Sequence, residues 1–192
     1  MRGPFDALFG IDDALGEVVA SATQPALGAI KLAWWREALE RLDSQPPPAE
    51  PRLQAVAAQL LSRGIRGGEI AELVPGWATL LDESPDSGLV AGRGAVLFGL
   101  AARLLGVEFD GMAAAGGLYA AVDAARRLHD RGRLSAAEHL GRARFPRQAR
   151  PLTALAALAA RDVKRPQDDS WEPQATPGRS FTILRHRLTG VV

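Results

Sequence analysis

The chain contains no cysteine and few aromatic side chains. The first shortage limits the kinds of site it can form, and the second limits its fold class. The absence of cysteine excludes disulfides and thiolate metal sites, and it favours a reducing compartment. Aromatic residues make up 6% of the 192 residues, whereas hydrophobic residues make up 47%. Because alanine and leucine dominate the apolar set, and sheets are rich in β-branched and aromatic residues, the composition predicts closely packed helices.

The sequence also has little net charge and no obvious targeting segment. A net charge of +1 gives no overall attraction to polyanions, so we expect no nucleic-acid partner. No apolar run approaches the roughly 20 residues that span a bilayer, and the N-terminus lacks the features of a signal peptide. Walker, GxGxxG and HExxH motifs are missing too. We expect a cytoplasmic protein without a transmembrane segment, for which peripheral membrane contact stays open.

Helical periodicity covers most of the chain, so the sequence predicts one all-α domain over residues 1–192 with about eight or nine helices. A proline-rich linker over 44–51 and a polar loop over 165–178 lie inside this domain, because proline interrupts helices. A capping box predicts a further short helix that begins at Ser135. The longer predicted helices cover 5–20, 25–42, 53–61, 69–81, 89–105, 110–130, 151–164 and 179–188.

The predicted helix 25–42 carries two adjacent tryptophans. Its apolar residues recur at helical spacing and predict a buried face formed by Leu27, Ile30, Trp34, Ala38 and Leu42. Neighbouring residues on a helix point about 100° apart, so we expect Trp34 inside and Trp35 at a groove or a partner. Trp35 and Arg36 are therefore a candidate interaction surface, and an ordinary core helix is the alternative interpretation. The last helix is predicted to bury Phe181, Leu184 and Leu188.

Charge is unevenly distributed along the chain. Residues 126–150 contain eight arginines and only two acids, Asp130 and Glu138, whereas residues 1–50 contain eight acids and four bases. The two segments can attract each other as solvated faces of one domain. Alternatively, the arginines bind an anion such as a diphosphate or an acidic partner. Both interpretations stay open.

Several segments resemble the squalene/phytoene synthase family, the head-to-head trans-isoprenyl diphosphate synthases. The segment FDALFGIDDALGEVVA is followed by QPALGAIKLAWWREAL and a proline-rich break, and the chain ends in PGRSFTILRHRLTG. The pattern is similar to a degenerate proteobacterial branch allied to a mitochondrial complex I assembly factor. The matching positions are Pro25, Gly28, Ile30, Lys31, Leu32, Trp34, Trp35, Arg36, Glu37, Ala38, Arg185, His186, Arg187, Leu188 and Gly190. The resemblance implies an isoprenoid-synthase-type helical bundle, truncated relative to a full synthase.

The resemblance also implies two aspartate-rich motifs that hold Mg²⁺ and a prenyl diphosphate. On the first helix only Glu17 stands near an expected aspartate, because Asp12 and Asp13 come one turn early. On helix 110–130 Asp123 and Asp130 lie two turns apart, about 10 Å along the axis. Glu17, Asp123 and Asp130 are the candidate metal ligands if the protein is active. The candidate diphosphate-binding residues are Arg126, Arg127 and Arg131.

The incomplete motifs lead to three hypotheses for function. The first is a squalene/phytoene synthase-like protein that has lost prenyl transfer and acts in binding or assembly, through the Trp35 side and the segment 126–150. The second is an active prenyl-diphosphate transferase of carotenoid or hopanoid biosynthesis, with Mg²⁺ as cofactor. The third is a carrier that keeps an apolar cavity. The expected partners are accordingly a protein or an isoprenoid or lipid ligand, and the balance of motifs favours a protein without enzymatic activity.

Overall fold

A computed structural model of the protein describes residues 2–136, 143–165 and 171–192. These residues form nine α-helices and, among them, no β-strand; Arg144 and Val191 make an isolated bridge. The all-α prediction is confirmed. The helices are α1 (Arg2–Ala20), α2 (Pro25–Arg41), α3 (Pro51–Gln59), α4 (Gly67–Ala71), α5 (Val74–Ala78), α6 (Ser87–Leu105), α7 (Met112–Arg127), α8 (Arg150–Lys164) and α9 (Pro177–Thr189).

Proline and glycine set most of the helix boundaries. Five helices, α2, α3, α5, α8 and α9, carry proline at the first or second position, where its missing N–H would have no helical partner. Gly106 and Gly190 end α6 and α9 with a positive φ, which glycine adopts without strain. The predicted helix 69–81 is interrupted, and α4 and α5 stand in its place with a 3-10 turn over Thr79–Leu81.

Two further predictions fall partly on residues that the structure does not describe. The short helix predicted from Ser135 lies almost entirely outside the described residues, and a 3-10 segment, Arg131–Ala136, ends just after its predicted start. Within the predicted loop, residues 171–176 precede α9 without helical structure, and residues 166–170 are outside the description. Residues 42–50 contain no helix, in agreement with the predicted linker.

Helices α6 and α7 are the most closely packed pair among the described helices. Gly94 on α6 lies against the backbone of Gly116 on α7, and a Cβ on either glycine would overlap the other's carbonyl oxygen. Helix α1 packs beside this pair, and α3 and α5 pack on α1. The close approach places Arg93, next to Gly94, between α1 and α7.

Helix α6 is also long and apolar enough to cross a membrane, with a mean hydropathy of 1.5 over its 18-residue window. A buried core helix passes the same test of length and composition, so the expectation of no transmembrane segment stays a prediction. In the fold, α6 packs against α7, α5 and α1, and 44% of the window is buried inside the protein. Its apolar composition therefore matches its position as a core helix.

The predicted inner face of α2 is confirmed at Ala38 and Leu42, which are buried, and wrong at its other three positions. Trp35 is buried, at 8% exposure, whereas Trp34 is 47% exposed, so their expected positions are reversed. Leu27 and Ile30 also face outward. The side that packs on α1, α4 and α5 contains Gly28, Leu32, Trp35, Ala38 and Leu39. Gly28 explains why this side faces inward: the helix approaches its neighbours so closely that a Cβ at position 28 would contact Leu81 at 3.0 Å and Ala22 at 3.2 Å.

The predicted inner face of α9 is wrong as well. Phe181, Leu184 and Leu188 are exposed, whereas Arg179, Thr182 and His186 are buried. The polar residues can face inward because each has a polar partner in the interior. The Arg179 guanidinium meets the Asp162 carboxylate at 2.7 Å, and the His186 ring meets the Thr153 hydroxyl at 2.9 Å. Helix α9 is thus amphipathic with its apolar side directed away from the protein.

Candidate functional site

A buried network of charges connects α1, α6 and α7. The Arg93 guanidinium on α6 donates to the Asp12 carboxylate on α1 at 3.2 Å and to the Asp123 carboxylate on α7 at 3.1 Å. Arg127 donates to the second oxygen of Asp123 at 3.0 Å and also pairs with Asp13. We call Asp12, Asp13, Arg93, Asp123 and Arg127 the central network. It joins the two helices on which the resemblance places the aspartate-rich motifs.

Trp77 of α5 closes the central network on one side. Its indole N–H donates to Asp12 at 2.8 Å, and the Arg93 guanidinium lies 3.8 Å from the centre of its ring. Gly16 on α1 makes room for the indole, because a Cβ at that position would lie 2.8 Å from the ring. Gly16 therefore allows this tryptophan to pack against α1.

Burial dominates the electrostatics of Asp12. Both Asp12 and Arg93 are 1% exposed. Desolvation raises the pKa of the Asp12 carboxyl above the ordinary aspartate value, whereas Arg93 and the Trp77 N–H act in the opposite direction. A carboxylate and a guanidinium in this position stabilise each other, and either one alone would be an uncompensated buried charge.

A second network joins α7, α8 and α9. Asp162 of α8 accepts hydrogen bonds from Arg126 at 3.0 Å and from Arg179 at 2.7 Å. The guanidinium of Arg126 lies 4.7 Å from the centre of the Trp171 ring. We call Arg126, Asp162, Trp171 and Arg179 the C-terminal network. It attaches α9 to the body of the protein.

Glu172 reinforces this attachment just before α9. Its carboxylate accepts from Arg161 at 3.1 Å and from the Thr176 hydroxyl at 2.6 Å. These hydrogen bonds lower the pKa of Glu172 to about 2, so the group stays ionised at neutral pH. Thr176 in turn caps α9 through the N–H of Arg179.

The structure distributes the three candidate metal ligands among different ion pairs. Glu17 is mostly exposed and pairs with Arg52 at 3.0 Å. Asp123 belongs to the central network, and Asp130 pairs with Arg133 at 3.1 Å. Within the described part of the chain, no group of three or more histidine, aspartate or glutamate side chains is placed to hold a metal ion. The metal-binding hypothesis for these residues stays a prediction.

The three candidate diphosphate-binding arginines divide between the two networks. Arg127 belongs to the central network. Arg126 and Arg131 both lie over the Trp171 ring, and Arg131 donates to the Asp162 carbonyl at 3.4 Å. Of the three, Arg127 pairs with the acidic segment 1–50, through Asp13, whereas Arg126 and Arg131 contact α8 and Trp171.

The candidate interaction surface on α2 needs a correction. Trp35 is buried and meets Trp34 edge to face at 5.2 Å, so Trp34 is the tryptophan that a partner could contact. Arg36 is half exposed and pairs with Glu40 at 3.0 Å and Glu72 at 3.4 Å. The tryptophan of this surface is thus displaced by one position from the prediction.

Comparison with known proteins adds no relative. No family model, curated protein or solved structure matches this chain. The geometry of the two networks and of the exposed helix faces is therefore what bears on function. The resemblance to the squalene/phytoene synthases stays a proposal.

Sequence reasoning missed the most important residue of the site. Arg93 is the only charged residue between Leu89 and Ala102 of α6, and this apolar setting could have indicated that it is buried with a partner. Asp162 gives no such signal, because Arg161 and Lys164 lie beside it in α8. Asp12 comes one turn too early for the expected metal motif, and in the structure it pairs with an arginine.

Proposed function

We propose that this chain is a squalene/phytoene synthase-like protein that has lost prenyl transfer and acts by binding a protein partner in assembly. The observation that carries the proposal is the position of Arg93, whose guanidinium joins Asp12 to Asp123 between α1 and α7. The resemblance implies that carboxylates on these helices would hold Mg²⁺ in a synthase. In this chain a side chain of the protein supplies the positive charge.

An arginine in this position cannot replace the chemistry of a metal ion. Bound Mg²⁺ keeps coordination positions for diphosphate oxygens and stabilises the leaving group. The Arg93 guanidinium instead donates to Asp12, Asp123 and the Ala120 carbonyl and is stacked on Trp77. Because Arg93 is fully buried, a diphosphate could reach it only after the helices separate. This geometry supports loss of catalysis.

The outer side of α2 supports a role in binding. Leu27, Ile30 and Trp34 follow one another at helical spacing and are exposed, and we call them the α2 stripe. Charges of both signs flank the stripe, because Glu37 pairs with Arg41 and Arg36 with Glu40. An exposed tryptophan within an apolar patch and a rim of mixed charge are typical of protein–protein interfaces. The α2 stripe is therefore the proposed assembly surface.

The loss of catalysis can be tested with the family's substrates. The purified chain is incubated with farnesyl or geranylgeranyl diphosphate and either Mg²⁺ or Mn²⁺, and the extracts are analysed for squalene and phytoene. We expect no product, because a single lost electrostatic contact can already lower the rate ~10²–10³-fold. Product at synthase-like rates that disappears in Glu17→Gln or Asp123→Asn would contradict the proposal and favour the transferase hypothesis.

The binding role can be tested with a photo-crosslinking residue at Ile30. A matched control carries the same residue at Ser62, which is also exposed. We expect one defined protein adduct from position 30, absent from position 62 and weakened by Trp34→Ala. A reconstituted complex of the identified partner with this chain should then lose affinity in Leu27→Ser. If the affinity is unchanged in both Leu27→Ser and Trp34→Ala, the α2 stripe is excluded as the assembly surface.

A small cavity favours a lipid carrier as the second candidate function. It has a volume of about 290 Å³, lies at the α6–α7 pair and has Arg133 at its wall. Val90, Ala91 and Ala121 contribute apolar surface, and an arginine beside an apolar cavity suits a ligand with an anionic head. Saturable binding of farnesyl phosphate that is lost in Ala121→Trp and weakened in Arg133→Gln would favour the carrier.

A further inference from the structure

Helix α9 has its polar side buried and its apolar side exposed. This arrangement suggests that a binding partner covers the exposed side. Phe181, Leu184 and Leu188 are 66%, 53% and 71% exposed, and we call them the α9 face. They lie at spacings of three and four residues, so they form one stripe along the helix. Because Arg179 and His186 have partners on α8, α9 cannot simply rotate to bury the α9 face.

The surroundings of the α9 face carry an excess of positive charge. Residues 143–192 contain nine basic residues and four acids, Asp162, Asp168, Asp169 and Glu172. Asp162 and Glu172 are already paired with arginines. The bases are Arg144, Arg147, Arg150, Arg161, Lys164, Arg165, Arg179, Arg185 and Arg187. The α9 face is therefore set within a region of excess positive charge.

An open groove between α8 and α9 combines the two properties. It has a volume of about 790 Å³ and is lined by Ile183, Leu184 and Leu188 from α9 together with Arg147, Arg150 and Arg187. On the other side of α9, Arg185 lies beside Phe181 and near Lys164. Cations thus flank the apolar stripe on both sides, at a distance that their long side chains can span.

We propose that the α9 face is a docking surface for an anionic lipid bilayer. A surface helix with apolar residues on one side and flanking arginines and lysines inserts its apolar side at the level of the headgroups, while the cations contact lipid phosphates. The charge excess of this region complements such a membrane. It also distinguishes the α9 face from the α2 stripe, whose rim carries both signs and suits a protein partner.

The experiment uses the full chain and vesicles made from equal parts of phosphatidylglycerol and phosphatidylcholine, with pure phosphatidylcholine vesicles as reference. Flotation should recover the protein with the anionic vesicles and not with the neutral ones, and added salt should weaken the binding. Leu188→Gln should lower the partition coefficient several-fold, whereas Leu89→Gln, an exposed leucine on α6, should leave it unchanged. Arg185→Gln and Arg187→Gln should lower it about fivefold each, and Arg2→Gln and Arg63→Gln are the matched controls.

The absence of cysteine permits a second, site-specific measurement. An environment-sensitive dye is attached to Leu188→Cys or, as the control, to Ser44→Cys, which is exposed in the linker after α2. Anionic vesicles should shift the emission to the blue only for the dye at position 188. Because both positions are exposed, neither label should disturb the fold, and circular dichroism melts check this.

Three outcomes would overturn the membrane assignment. Equal binding to neutral vesicles would exclude a role for the flanking cations. Binding that Leu188→Gln does not weaken, or an unshifted dye at position 188, would exclude the α9 face. Absence of vesicle binding together with arginine-dependent binding of polyglutamate would assign the surface to an acidic protein instead.

Discussion

The centre of the molecule and its two outer helices, α2 and α9, place charged and apolar side chains in opposite ways. At the centre, Asp12 and Arg93 are buried and paired between helices of the core. On α2 and α9, large apolar side chains point outward, and on α9 arginine and histidine point inward. Burial of a charge is expensive unless it is paired, and exposure of a large apolar patch is unusual in a monomer that binds nothing. The protein itself closes the centre, whereas the outer sides of α2 and α9 are the surfaces for which we propose partners.

Buried ion pairs between aspartate and arginine occur both at the centre of the molecule and where α9 is attached. In the central network, Arg93 joins Asp12 of α1 to Asp123 of α7. In the C-terminal network, Asp162 holds Arg126 and Arg179 and thereby fixes the orientation of α9. The central network fills the space between α1, α6 and α7, whereas the C-terminal network holds α9 with the α9 face exposed.

The largest effect is expected for Asp12→Ala. The substitution leaves the Arg93 guanidinium buried beside only Asp123, and breaking a buried pair in this way costs about 3–5 kcal/mol of the free energy of unfolding. Urea melts measure the loss. Asp13→Ala is the matched control, because Asp13 is about half exposed and its ion pair should contribute less than about 1 kcal/mol. Equal small losses at both positions would contradict the view that the centre depends on this pair.

The next effect separates the two tryptophans of α2. Trp35→Ala should destabilise the protein by about 3 kcal/mol, because it removes a large buried aromatic side chain. Trp34→Ala should cost less than about 1 kcal/mol of stability, because Trp34 is half exposed. If the larger loss of stability occurs at Trp34, the orientation of α2 described above is wrong.

How far the sequence predicts this molecule depends on the kind of signal. Helix boundaries were predictable where Pro25 and Gly106 act locally, through a missing N–H group and a positive φ angle. The last helix begins two residues before its predicted start, at Pro177. Which side of a helix is buried was not predictable, because periodicity identifies an apolar stripe but not the side that fits against the neighbouring helices. On α2, the close approach at Gly28 determines the buried side.

The candidate site was predictable only in part. The sequence indicated Asp123 and Arg127 as charged residues of interest, and the structure brings both into the central network. It gave no reason to connect them to Arg93, which is 30 residues away from Asp123 along the chain. Contacts of this range depend on the packing of α6 on α7, which a single sequence does not specify.

A more local effect is expected for Asp162→Ala. The substitution leaves Arg126 and Arg179 without their shared carboxylate, at a cost of about 2–3 kcal/mol, because Arg126 can still reach water. Hydrogen exchange should report faster exchange in α9 than in α1 or α6, since α9 contacts the body mainly through α8. Uniformly faster exchange across all helices would mean that α9 does not open separately from the centre.

The smallest effect is a pH dependence at His186, which sharpens the contrast between a closed centre and a separable outer helix. Burial lowers the pKa of the His186 imidazole below the ordinary histidine value, although the Val191 carbonyl opposes this shift. In the neutral ring, Nδ1 donates to the Val191 carbonyl at 3.1 Å, and Nε2 accepts from the Thr153 hydroxyl at 2.9 Å.

The sign of the pH effect follows from the lowered pKa. An unfolded histidine takes up its proton near pH ~6.5, whereas folded His186 does so at a lower pH. Between these values the unfolded state binds more protons, so the free energy of unfolding falls as the pH drops through ~6.5. Hydrogen exchange in α9 should therefore become faster, relative to α1, on acidification. His186→Gln removes the titrating group and should remove this difference, and a variant that retains it would assign the pH dependence to another residue.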